Sequence, residues 1–170
     1  MKPLDNQIAL VTGASRGIGR AIARTLAERG AIVIGTATSA SGAADIAQDL
    51  QQFKPKNTGL VLNVADGEQT DAVLSTIEKE HGAITILVNN AGITRDNLAM
   101  RMKDEDFDDV IGTNLRGVFR LSRGVMRGMM KARTGRIINV TSVIAQMGNA
   151  GQANYAAAKA GGEGMTRALA

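Results

Sequence analysis

The sequence of 170 residues has no cysteine and no tryptophan, one tyrosine, one histidine, three phenylalanines and two prolines. Without cysteine there is no disulfide scaffold, no thiolate metal site and no cysteine nucleophile. One histidine is too few for a multi-histidine zinc site, so no metal is expected. Four aromatic residues leave no stacking platform for single-stranded nucleic acid. The first seven residues lack the apolar core of a secretory signal, and no apolar run approaches membrane-spanning length. These absences permit a cytoplasmic home, which is the expectation, with no nucleic-acid or membrane partner expected. Acidic residues are also missing from one long stretch, since none lies between Asp109 and Glu163. That gap holds Arg116, Arg120, Arg123, Arg127, Lys131, Arg133, Arg136 and Lys159, a one-sided field that favours acidic partners.

What is present is ordinary globular material: 44% apolar residues, 21% charged, and a length that fits one domain over 1–170. Apolar runs at 8–11, 31–34, 60–62, 84–88 and 137–140 predict strands buried on both faces. Helical spacing predicts helices over 17–29, 43–52, 66–81 and, as one long element, 104–133. Asp66 and Gln69 stand three apart, as in a capping box, and Gly30 sits where a helix C-cap belongs. Alternation of strand and helix argues an α/β fold with a parallel sheet covered on both faces.

Behind the first strand lies Gly13-Ala14-Ser15-Arg16-Gly17-Ile18-Gly19. Its glycines permit a tight turn and a close approach of pyrophosphate, and the helix that follows offers free N–H groups. After the second strand stands Thr36-Ala37-Thr38-Ser39, with no carboxylate to hold a ribose hydroxyl. The missing negative charge, with Ser15, Arg16 and Thr38 nearby, favours a 2′-phosphate and hence NADPH over NADH.

Tyr155 and Lys159 are four apart, which puts both on one helix face. A cation there favours the phenolate and makes the tyrosine a better proton donor at neutral pH. Ser142 follows the fifth strand, at the sheet edge where α/β proteins bind ligands. Its hydroxyl can donate to a carbonyl as negative charge develops.

The glycine loop, Asn89-Asn90-Ala91-Gly92, Ser142, Tyr155 and Lys159, with 13 residues from serine to tyrosine, together resemble the short-chain dehydrogenase/reductase family. Asn89 to Met102 and Gln152 to Gly161 are similar to its branch that reduces 3-oxoacyl thioesters of acyl carrier protein in fatty-acid synthesis. The resemblance implies a Rossmann-type doubly wound parallel sheet and an NADPH-dependent oxidoreductase. It implies that Tyr155 gives the proton, that Lys159 holds the nicotinamide ribose, and that Ser142 positions the keto oxygen. Asn114 would hold a water that relays protons from Lys159. Asn63 and Val64 would line the adenine site, and Asn90, Ala91 and Gly92 the ribose side. Arg133 and Arg136 are candidates for docking the acidic carrier protein, and the family usually forms a homotetramer. Family chains continue past the lysine with two strands, a Pro-Gly loop and a lid. Here 165–170 still reads as uncapped helix, so the sequence reads as truncated after the fifth strand and its following helix. Two other readings remain: an acetoacetyl-CoA-type reductase, and a nucleotide-binding fragment without turnover.

Overall fold

Five short segments pair in parallel: β1 (Ile8–Val11), β2 (Ile32–Ala37), β3 (Thr58–Val61), β4 (Ile86–Asn89) and β5 (Arg136–Asn139). The computed structural model describes residues 2–170. Strand order is β3-β2-β1-β4-β5, so the chain builds outward from β1 in one direction, then returns across it to β4. That reversal between β1 and β4 is the point where open α/β sheets bind ligands.

Successive strand residues face opposite layers. Ala9, Val11, Val33 and Val88 pack with Ala23 and Ala27 of α1 (Gly17–Glu28) and Ile46 and Leu50 of α2 (Ala40–Gln51). Leu10, Ile34 and Leu87 pack with Leu74 and Ile77 of α3 (Gly67–His81) and Leu121 and Val125 of α5 (Gly117–Ala132). Both faces of the three central strands are thereby buried, as their unbroken apolar runs require.

Strand ends shift by one or two residues from the sequence expectation at β3, β4 and β5, and three larger differences have a visible cause. β2 runs on to Ala37, because β3 pairs with it as far as Ala37↔Val61. The helix after it starts at Ala40, since the Ser39 hydroxyl caps it by accepting the Gly42 N–H at 3.1 Å. The long helix is broken: α4 (Asp104–Ile111) passes into a π turn at Gly112–Arg116 before α5 begins. Such turns insert one residue and recur at functional sites. The capping box is also only half formed. Asp66 accepts the Gln69 N–H at 3.0 Å, but the Gln69 side chain reaches the Asn63 N–H instead of that of Asp66.

Beyond β5, the short α6 (Ile144–Met147) leads to α7 (Ala153–Leu169), which packs on α4, α6 and the π turn. Among the described residues no helix is long and apolar enough to cross a membrane.

Candidate active site

The loop after β1 turns at Gly13 (φ 64°) and again at Gly17 (φ 55°), left-handed conformations that glycine takes without strain. The start of α1 carries no side-chain cap among the described residues and no acid in its first turn. Its N–H groups and positive dipole end are therefore uncompensated, an arrangement fitted to an anion. A Cβ built at Gly17 would meet nothing within 4 Å, so the loop presents an open face there. At Gly19 the situation is the reverse, because a Cβ would collide with the Gly13 carbonyl oxygen and Asn90 Nδ2.

The loop is braced from β4. Thr12 Oγ1 accepts the N–H groups of Asn90 (3.1 Å) and Ala91 (3.0 Å), and Asn90 Nδ2 donates to the carbonyls of Thr12 (3.0 Å) and Gly13 (3.1 Å). Asn90 thus spends its Nδ2 on the loop, while Asn90, Ala91 and Gly92 line the cleft. Thr12 had no role in the sequence reading.

A cleft of about 860 Å3 opens at the carboxyl ends of the strands. Gly13, Ser15, Arg16, Gly17, Ile18 and Gly19 line one wall, and Thr38 a second. Asn63 and Val64 form a third part, and Asn90, Ala91 and Gly92 a fourth. Every residue that the sequence reading gave to the nucleotide, apart from Tyr155 and Lys159, meets here. Arg16 makes no ion pair among the described residues, and no carboxylate follows β2. The residues fit a phosphorylated dinucleotide.

Lys159 lies on α7, 8% exposed, with Nζ donating to the Val140 carbonyl at 2.7 Å. Burial holds its ammonium below the usual lysine value. Nζ is 5.6 Å from the centre of the half-buried Tyr155 ring, so the two do share one face of the helix. Ser142 Oγ accepts the Ile144 N–H at 3.3 Å at the start of α6, which packs on α7. As an acceptor there it keeps its O–H to donate.

Asn114 is buried in the π turn. Its Oδ1 accepts the Ile93 N–H at 2.9 Å and its Nδ2 donates to the Ile93 carbonyl at 2.8 Å. Both arms of the amide therefore hold the loop after β4. Asn114 and Lys159 line a second cavity of about 250 Å3, with Asn89 and Asn139. Gly112 and Thr113, the two residues before Asn114, line the main cleft, so the π turn borders both spaces. Tyr155 and Ser142 belong to the lining of neither cavity.

Arg133 and Arg136 are exposed, Arg133 with a left-handed backbone (φ 52°) at the end of α5 and Arg136 opening β5. They stand at the amino edge of the sheet, whereas the cleft is at the carboxyl edge. Arg120 of the basic stripe is tied down, donating to the Ala65 carbonyl at 2.7 Å, and Arg123 lies 5.2 Å over the Phe119 ring.

Residues 7–170 match the family described as short chain dehydrogenase. The chain is 64% identical over 167 residues to the 3-oxoacyl-(acyl carrier protein) reductase FabG of Vibrio harveyi, covering 98% of this chain and 67% of the relative. It is 62% identical over 166 residues to the protein of that name from Escherichia coli K12, with the same coverage. A solved structure described as a candidate short-chain alcohol dehydrogenase of Sinorhizobium meliloti 1021 superposes with a TM-score of 0.93 at 36% identity, over 98% of this chain and 66% of that one. The chain spans about two thirds of the length of these relatives.

Proposed function

The chain belongs to the short-chain dehydrogenase family, and we propose that it reduces the C3 ketone of a 3-oxoacyl thioester on acyl carrier protein to the 3-hydroxyacyl thioester, with NADPH as hydride donor, in fatty-acid synthesis. The observation that carries this is the uncapped, acid-free start of α1 opening into a cleft at the carboxyl ends of the strands. The names of relatives more than 60% identical support the substrate.

The bound NADPH supplies the hydride; the protein supplies position and the proton. Backbone N–H groups at Gly17, Ile18 and Gly19 hold the pyrophosphate. Ser15, Arg16 and Thr38 hold the 2′-phosphate, Asn63 and Val64 the adenine, and the segment Asn90–Ala91–Gly92 the ribose side. Lys159 takes the nicotinamide ribose. Ser142 would donate to the keto oxygen, and Tyr155 O–H would give that oxygen its proton. Reprotonation of Tyr155 runs by way of Lys159 and the cavity beside Asn114. At about 30 Å3 of liquid volume per water, that cavity has room for several. Phe119 and Met130, both exposed and eleven residues apart on one face of α5, suit subunit contact in a homotetramer.

The test is NADPH oxidation by the purified protein with 3-oxoacyl thioesters. Turnover with NADPH strongly preferred over NADH is expected, and a protein that binds neither nucleotide would overturn the reading. Arg16→Ala should weaken NADPH by about tenfold, near 1.4 kcal/mol, and leave NADH almost unchanged. An equal loss for both nucleotides would remove Arg16 from the 2′-phosphate site. Exposed Arg133 and Arg136 are the candidate docking residues for the acidic carrier protein. Charge reversal at both arginines should raise KM for the carrier-protein substrate and spare the CoA thioester. Loss on both substrates alike would refute the docking.

A further inference from the structure

Asn154, the residue before Tyr155, is 0% exposed. Its Oδ1 accepts the Tyr155 N–H at 2.7 Å. Its Nδ2 donates to the Arg95 carbonyl at 2.9 Å and to the Asp106 carbonyl at 3.3 Å. One side chain thus joins three parts of the molecule: α7, α4, and the loop after β4.

The partner in α7 matters. The first N–H groups of a helix have no acceptor within it. Here the ladder opens with the Ala156 N–H donating to the Gln152 carbonyl at 2.8 Å, which leaves the Tyr155 N–H outside it. Gln152, at the N-cap position, supplies no side-chain cap among the described residues. Asn154 satisfies that donor from inside the helix. Both hydrogens of its Nδ2 are used as well, so the amide is committed in three directions in a dry place, where an unmade bond is expensive.

Neighbouring contacts run the same way. The Asn97 N–H donates to the Gly151 carbonyl at 2.9 Å, and Gln152 Nε2 donates to Asp96 Oδ2 at 3.1 Å. Arg95, Asp96 and Asn97 are therefore stitched to Gly151, Gln152 and Asn154 as the chain enters α7. These two outer links involve exposed or half-exposed groups; the Asn154 link is fully enclosed. The stitched loop is itself a cleft wall, through Asn90, Ala91, Gly92, Ile93 and Arg95.

We infer that Asn154 is a positioning residue: it fixes Tyr155 against the loop that walls the cleft, and so sets the tyrosine's place relative to what the cleft holds. The inference rests on the reading of Tyr155 as proton donor. Asn154 touches neither substrate nor cofactor; it acts through the Tyr155 peptide.

Hydrogen exchange on the unaltered protein tests the link without any turnover. The Tyr155 N–H should exchange about tenfold or more slower than the other first-turn N–H groups, those of Ala153 and Asn154. Equally fast exchange at all three would overturn the inference. Kinetics test the consequence. Asn154→Ser cannot reach the two carbonyls, and Asn154→Asp replaces their donor with an oxygen facing them. Each should lower kcat per folded molecule by about 10- to 100-fold, the range for a small misplacement of a reacting group. The dissociation constant of NADPH should hold within about threefold, since the cleft glycines are untouched. A merely structural role predicts a lower Tm with kcat per folded molecule unchanged, and that outcome refutes positioning. A parallel loss of NADPH affinity refutes it too, by assigning the residue to the cleft wall. If the unaltered protein reduces no 3-oxoacyl thioester, the proposed function fails, and the exchange rates alone still decide whether Tyr155 is held.

Discussion

Tyr155→Phe should cost about 10³-fold in kcat, within the usual range of 10²–10⁴ for a positioned general acid, and leave NADPH binding intact. The substitution removes one oxygen and its proton and keeps the ring. The ring lies 5.6 Å from Lys159 Nζ, and the Lys159 bond to the Val140 carbonyl does not depend on the hydroxyl. The helix should therefore stay in place, because Tyr155 is anchored through its N–H by Asn154. Tyr155 is also the single tyrosine of the chain, so no second phenol can substitute for it. The measurement is steady-state turnover beside a fluorescence titration with NADPH. Turnover within tenfold of the unaltered protein would remove Tyr155 from the chemistry. Loss of nucleotide binding along with turnover would mean that the hydroxyl serves the cofactor.

The second large effect is expected at Gly19. Gly19→Ala puts a Cβ onto the Gly13 carbonyl oxygen and Asn90 Nδ2, two atoms that are hydrogen-bonded to each other at 3.1 Å. Neither is the far end of a flexible chain. One is backbone, and the other is fixed by a second bond, to the Thr12 carbonyl. The loop must open to admit the methyl group, and the N–H groups at the start of α1 lose their aim. Nucleotide affinity should fall by at least about 100-fold, or 2.7 kcal/mol. Overpacking of a tight site costs about 1–3 kcal/mol, which lowers Tm by about 2–4 °C per kcal/mol in a domain of this size. Gly17→Ala differs: no protein atom lies within 4 Å of its added Cβ, so its folding penalty is the left-handed backbone alone, about 1–2 kcal/mol. If Gly19→Ala binds NADPH as the unaltered protein does, the loop is not the pyrophosphate seat.

Both effects start from residues that were legible in the sequence, but their causes were legible to different degrees. The i, i+4 spacing of Tyr155 and Lys159 put both on one helix face, and they are there. The glycine spacing was readable, whereas the collision that makes Gly19 irreplaceable needs Asn90, 71 positions away along the chain. Other features left no local trace. The π turn at Gly112–Arg116 shifts the helical pattern by a single residue, so 104–133 reads as one continuous helix. Asn114 and Asn90 were expected to serve a water and a ribose; the structure commits their amides to Ile93 and to the carbonyls of Thr12 and Gly13. Arg133 and Arg136 follow the basic helix in the sequence, and nothing in their spacing says that they lie at the edge opposite the cleft.

The sequence by itself determined the element order, the buried character of the strands, the nucleotide-type loop and the tyrosine–lysine pair. Each of these is a short-range pattern, set by a period of two or 3.6 residues or by what glycine alone can adopt. The tertiary structure alone decided how the loops are braced. Asn154 meets Arg95 across 59 positions and Asp106 across 48. Thr12 meets Asn90 across 78. Buried polar groups must find partners wherever folding brings them, and no local period records which partner that is.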